Sequence, residues 1–201
     1  MKAVLISIKP KYCELIASGK KTVEVRKTKP KLETPFKCYI YCTQGDSLNY
    51  LKTPFFSNCN KFWVDNKAFG ANVARANGKV IGEFVCDHIG YVRNYGDAVD
   101  WYDCKASCLS ANEIIEYAKD KDGNFVYTYG WHISDLVIYD KPRELSEFYY
   151  PPEKYCEKDL CGLCPKYEVP SYEYGEVDFD CEWKKPIERP PQSWMYVEEQ
   201  R

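Results

Sequence analysis

The chain reads as an α+β protein: a mixed, mostly antiparallel β-barrel carrying two or three short helices. Three observations predict this. Apolar alternation marks short strands near both ends and in the middle of the chain, two short segments carry helical spacing, and their order is strand, helix, strands, helix, strands rather than a regular βαβ repeat. The aromatic content points the same way. Eighteen Tyr, nine Phe and five Trp among 201 residues favour pleated surfaces, and they also supply rings that can stack on bases.

Lys2 to Ile8 is a buried strand by composition. Pro10 stands where a first helical turn begins, Tyr12, Leu15 and Ile16 share one face, and Gly19 is positioned to cap the short helix. Thr22 to Arg26 alternates, so Val23 and Val25 are expected to point inward, with Thr22, Glu24 and Arg26 on the opposite face. Phe36 to Thr43 is a third strand. Residues 44–77 have no period and read as an irregular insertion. Lys79 to Val92 returns to strand character, with Gly82 at a bulge. Ser110 and Glu113 form a capping-box pattern ahead of a helix from Ala111 to Lys119. Phe125 to Tyr139 supplies one or two further strands through Gly130, Trp131 and His132, and Trp194 to Val197 supplies a last one, with Trp194 and Tyr196 on one face packing against the rest. The domain organisation expected is a main unit over 1–148 and a Cys-rich extension over 149–201 that packs back on it.

Charge is distributed unevenly although the formal net charge is −2. The first 42 residues hold ten Lys/Arg against three Glu, whereas acids outnumber bases after Pro151. A basic patch of this kind can hold phosphates on a mildly acidic protein. No apolar run approaches the ~20 residues that span a bilayer, and Met1 to Ile8 lacks the pattern of a secretory signal. A cytoplasmic protein with no membrane partner is the expectation. Of eleven cysteines, Cys13, Cys38, Cys42, Cys59, Cys86, Cys104 and Cys108 are scattered, as small core residues are in a reducing compartment. Cys156, Cys161, Cys164 and Cys181 are clustered as C-x4-C-x2-C-x16-C. Four thiolates at such spacing can converge on one tetrahedral zinc ion, so a structural zinc knuckle is expected in the extension. His88 and His132, the only histidines, sit in strand-like segments where a structural role is expected. There is no P-loop, no G-x-G-x-x-G and no nucleophile elbow, which removes phosphoryl-transfer and dinucleotide chemistry from the expectations.

The most informative segment is Leu5 to Arg26. Gly19, Lys21, Glu24 and Arg26 spell Gly-x-Lys-x-x-Glu-x-Arg directly after the short helix. With the strand around Leu5 and Ser7 and the helix carrying Pro10, Tyr12, Leu15 and Ile16, this pattern resembles the ASCH family, relatives of PUA domains; a looser likeness extends to about residue 145. The resemblance implies a PUA-like barrel whose cleft handles RNA or a nucleotide-like ligand, with Ser7, Lys9, Tyr12, Lys21, Glu24 and Arg26 as the candidate binding residues. The chemistry suits that use. A carboxylate between two cations holds them in fixed orientation, the guanidinium offers a planar fork to phosphate, and the carboxylate can accept from an exocyclic amine.

Some ASCH relatives are enzymes, and the resemblance implies a rival reading with Lys21 and Glu24 as the reactive pair. One branch deacetylates 4-acetylcytidine with a Lys in this turn, a Thr on the next strand and a Glu further on. Lys21 matches the Lys, but Glu24 occupies the Thr position. Another relative resembles a metal-dependent ribonuclease, in which Lys21 and Tyr12 could serve. A third reading is a protein-interaction module built on the aromatic, acidic tail.

Overall fold

The computed structural model describes residues 1–44, 76–92, 94–95, 98–99, 101–151 and 184–200. The expected insertion therefore lies outside the described residues except at its margins, and so do Cys59 and the four clustered cysteines.

Among the described residues, three sheets and three short α-helices form the body. Strands β1 (Lys2–Ile8), β3 (Phe36–Cys42), β4 (Lys79–Cys86), β9 (Ser134–Arg143) and β10 (Trp194–Glu198) make a five-stranded sheet in the order β10-β1-β3-β4-β9. Strands β2 (Val23–Arg26), β5 (Ile89–Tyr91) and β8 (Tyr129–His132) make a second sheet in the order β2-β8-β5. The short β6 (Asn94–Tyr95) and β7 (Ala98–Val99) pair only with each other. Helices α1 (Pro10–Ala17), α2 (Trp101–Ser107) and α3 (Ala111–Tyr117) fill the connections.

The α+β class is present, and the parallel β1–β3 pair makes the large sheet mixed. A closed barrel is not formed among the described strands. Hydrogen bonds group them into a five-stranded, a three-stranded and a two-stranded sheet, and the chain steps from the three-stranded to the five-stranded one at Ile133, between β8 and β9. The segment Lys79 to Val92 is divided in the same way. It breaks at Asp87 and His88, so that β4 lies in the large sheet and β5 in the small one. The polar pair Asp87–His88 marks the break, but nothing in the segment announces the change of partner.

The main core lies between the sheets. Val4, Ile6 and Ile8 of β1, Cys38, Ile40 and Cys42 of β3, Phe84 of β4 and Trp131 of β8 are all nearly or fully buried in one cluster. Trp194 and Tyr196 pack against it from β10, with Trp194 5.9 Å from Trp131 and 5.4 Å from Tyr196 between ring centroids. The other face of β1 and β3 buries Leu5 and Tyr39 with Phe148, Ile187 and Val197. Burial pushes the Tyr39 phenol up to about 12, and the thiols of Cys13, Cys38 and Cys86 also titrate well above their usual range for the same reason. These cysteines behave as small apolar core groups.

Two backbone details position the rest. Gly19 has φ +70°, the left-handed value that glycine adopts without strain, and it ends α1 one residue before the lysines of the turn. Gly82 lies where the β4–β9 register shifts, and a Cβ there would come within 2.4 Å of the Val137 carbonyl oxygen. At the start of α3 the capping box is complete, with Ser110 accepting from the Glu113 amide and Glu113 accepting from Ser110. Those bonds from Ser110 hold the Glu113 carboxyl below its ordinary 4.5.

Two outcomes are expected. Gly82→Ala should cost about 1–3 kcal/mol of stability, seen as a lower urea midpoint at unchanged m-value, because the obstructing atom is backbone and cannot swing away. Glu113→Gln should lower thermal stability above the carboxyl's ordinary pKa. A depressed folded-state pKa means that the wild-type advantage is present at neutral pH and lost as pH falls through that lower value, so the two melting curves should converge in acid.

Candidate functional site

The turn after α1 and the first residues of β2 set the site. Backbone amides of Lys20 and Lys21 both donate to the Leu15 carbonyl, which fixes the exit from the helix. Thr22 then donates its amide to Ala106 and accepts at its carbonyl from Ile133, anchoring the start of β2 against α2 and β8. Period-2 alternation places Glu24 and Arg26 on one face of β2, opposite Trp131 and Tyr129 of β8. The other face is covered as well: Val25 packs with Val92 and Ile114 of α3. Glu24 and Arg26 thus share the face opposite the valines, as the alternation predicts, and all four residues of β2 are buried.

On the shared face the motif's three charges meet. Lys21 Nζ is 3.2 Å from Glu24 Oε2, and an Arg26 terminal nitrogen is 2.9 Å from Glu24 Oε1. Each cation has a further anchor. Lys21 donates to the Ser107 carbonyl at 2.7 Å, and Arg26 donates to the Ser7 carbonyl at 2.6 Å and to the Ser193 hydroxyl at 3.4 Å. The Lys21 ammonium also lies 5.3 Å from the centre of the Tyr12 ring. Lys21, Glu24 and Arg26 are only 2%, 6% and 8% exposed, so these interactions act where solvent screening is weak.

The cluster carries two cations and one carboxylate, leaving one positive charge in excess. Its hydrogen bonding is incomplete. Among the described residues, Arg26 Nε has no acceptor, and Glu24 Oε2, although ion-paired with Lys21, has no donor in hydrogen-bonding geometry. The indole nitrogen of Trp131, the residue paired across the strands with Glu24, is likewise a buried donor without a partner.

The remaining candidates separate. Tyr12 belongs to the cluster. Its phenol is raised by burial and by the nearby Glu113 and Glu24 carboxylates. Ser7 is buried and forms a wall of the site: its hydroxyl donates to the Pro191 carbonyl at 2.6 Å, and its carbonyl serves Arg26. Lys9 is not brought in; it is exposed at the cap position ahead of α1. Thr22 is exposed, so its hydroxyl does not join the buried charges. Cys156, Cys161, Cys164 and Cys181 fall outside the described residues. Among the residues that are described, no group of three or more His, Cys, Asp or Glu could hold a metal ion, and no helix is long and apolar enough to cross a membrane.

Several participants carried no signal in the sequence. Ser107 contributes only a carbonyl, while Pro191 and Ser193 arrive from the far end of the chain. Tyr117, at the end of α3, has its phenol raised by burial against the opposing pull of the Arg26 guanidinium.

Residues 6–116, more than half of the chain, match the ASCH domain family, and the chain belongs to that family. It also resembles crystal structures of two single-residue variants of an ASCH protein from Zymomonas mobilis, each with TM-score 0.50 and 16% identity; the alignments cover 99% and 98% of this chain and 92% and 89% of theirs. At that identity the likeness shows a shared fold. No curated protein matches the sequence.

Replacing Glu24 by Gln should leave two buried cations without their counter-charge, at a cost of about 3–5 kcal/mol. The matched Glu24→Gln, Lys21→Met pair should recover a large part of that loss in denaturant melts. Equal instability of the single and double variants would show that the charges are not coupled.

Proposed function

We propose that this chain is an RNA- or nucleotide-binding ASCH protein whose buried Lys21–Glu24–Arg26 cluster receives one unstacked nucleotide. The observation that carries the reading is a spare buried donor, Arg26 Nε, inside a cluster of net positive charge. A nucleobase edge or a phosphate oxygen presents the complementary acceptor, and a phosphate answers the excess charge. Tyr12 and Tyr117 contribute neutral phenols and ring faces at the margin. Full desolvation makes each such contact worth more than on an open surface, while leaving them unmade is costly.

An enzymatic reading has less support. The relatives that deacetylate an acylated cytidine place a Thr where this chain has Glu24, and the neighbouring Thr22 is exposed outside the cluster.

A thermal-shift screen with nucleosides, nucleotides and short RNAs tests the proposal. A ligand at one hundred times its Kd adds about 2.7 kcal/mol of apparent stability, a rise of several degrees for a chain of this size. Arg26→Lys, which keeps the charge but removes the planar fork, should weaken the best hit by about tenfold, and binding of phosphorylated ligands should weaken further as salt is raised. Unchanged melting with every nucleoside, nucleotide and RNA tried would sink the reading.

A further inference from the structure

The side chains next to Arg26 form a row that the cluster does not use. In the small sheet Arg26 of β2 is directly opposite Tyr129 of β8, which is directly opposite Tyr91 of β5, so all three stand on one face. The rings of Tyr129 and Tyr91 are 5.3 Å apart and tilted by 37°, and Tyr127 makes an edge contact with Tyr91 at 5.7 Å. Exposure increases along the row: Tyr129 is half-buried, Tyr91 is 61% exposed and Tyr127 is 79% exposed. A single exposed tyrosine is ordinary, but a contiguous set of rings leading out of a buried charged site is not required by packing.

Charge indicates what covers it. The Lys29 ammonium stands 5.5 Å from the centre of the Tyr129 ring and has no carboxylate partner among the described residues. A cation held over an aromatic row, beside a site with one surplus positive charge, complements an anionic polymer. The alternative direction, towards Phe125, is electrostatically different. There Lys119 is paired with Glu116 at 2.6 Å, and Asp120 occupies the adjoining turn.

We infer that the Tyr129–Tyr91–Tyr127 row is a track for single-stranded nucleic acid. One nucleotide enters the Lys21–Glu24–Arg26 cluster, its neighbours stack on Tyr91 and Tyr127, and Lys29 holds the connecting phosphate. The inference rests on the nucleotide-binding reading and extends it from a mononucleotide to a polymer. Exposed rings stack on any base, so the track supplies affinity rather than sequence preference.

The test uses the full-length chain, fluorescently labelled octauridylate and octathymidylate, and uridine monophosphate. Octauridylate should bind more tightly than the mononucleotide. Tyr91→Ala combined with Tyr127→Ala should weaken the octamer by at least about tenfold while leaving the mononucleotide within about twofold, and Tyr91→Phe combined with Tyr127→Phe should restore octamer binding, because the ring and not the hydroxyl stacks. Both octamers bound alike identifies stacking on any single strand; preference for octauridylate identifies RNA through its 2′-hydroxyls. Octamer binding that is lost in Arg26→Lys but untouched in the double alanine variant keeps the nucleotide site and overturns the track. Loss in the double alanine variant with no effect of Arg26→Lys keeps the track and overturns the site. Failure of both octamers to bind overturns the track and leaves the aromatic row to a protein partner.

Discussion

The Glu24 carboxylate, held between Lys21 and Arg26, is the interaction on which the arrangement of this protein depends. Its two cations do not end at the carboxylate. Lys21 reaches the C-terminal carbonyl of α2, and Arg26 reaches the backbone of β1 and the hydroxyl of Ser193 just ahead of β10. One buried ion cluster thus ties together the small sheet, the large sheet, a helix and the returning C-terminal strand. The start of β2, which carries Glu24 and Arg26, depends on the turn where Gly19 releases the chain from α1.

Such a cluster is an expensive way to join elements. Desolvating three ionised groups costs several kcal/mol each, and apolar residues of the same volume often give equal or greater stability. The partly unsatisfied hydrogen bonding at Arg26 and Glu24 adds to the cost. A purely structural clamp gains nothing from an orphaned donor or from an odd charge, whereas a recognition site uses both when its ligand arrives. The same contrast separates this cluster from the protein's surface pairs. Arg143–Glu147 and Lys119–Glu116 are largely solvated, balanced in charge and worth little individually.

Much of this was legible in the sequence. Short elements with a strong local signal stand close to where their residues place them: β1, α1 with Pro10 and Gly19 at its ends, the Ser110–Glu113 box at the head of α3, and the last strand at Trp194. The meeting of Lys21, Glu24 and Arg26 was legible because turn and alternation fix their directions within six residues. What the pattern could not carry was partner choice. Closure into a barrel, the division of 79–92 between two sheets and the burial of both faces of β2 all depend on which distant strand lies alongside. Lys9 shows the limit in one residue: it is close to the motif in sequence and basic, yet the cap geometry at Pro10 leaves it exposed outside the cluster.

The route by which β10 enters the fold links the chain's end to its chemistry. β10 runs antiparallel to β1 from Lys2↔Glu198 to Ile6↔Trp194, and the residues just before it supply the Pro191 carbonyl to Ser7 and the Ser193 hydroxyl to Arg26. Trp194 then closes over Trp131 and donates its indole N–H to Thr28, beside Lys29. The guanidinium is therefore oriented from both termini of the chain at once, from the Ser7 carbonyl on one side and from Ser193 on the other. Arg26 is also the point where the buried cluster meets the tyrosine row. A shift of the C-terminal strand along β1 would move the Arg26 anchor and the Thr28–Lys29 segment together, so the register of a strand almost 170 residues away sets how the site and its exposed aromatic margin are joined.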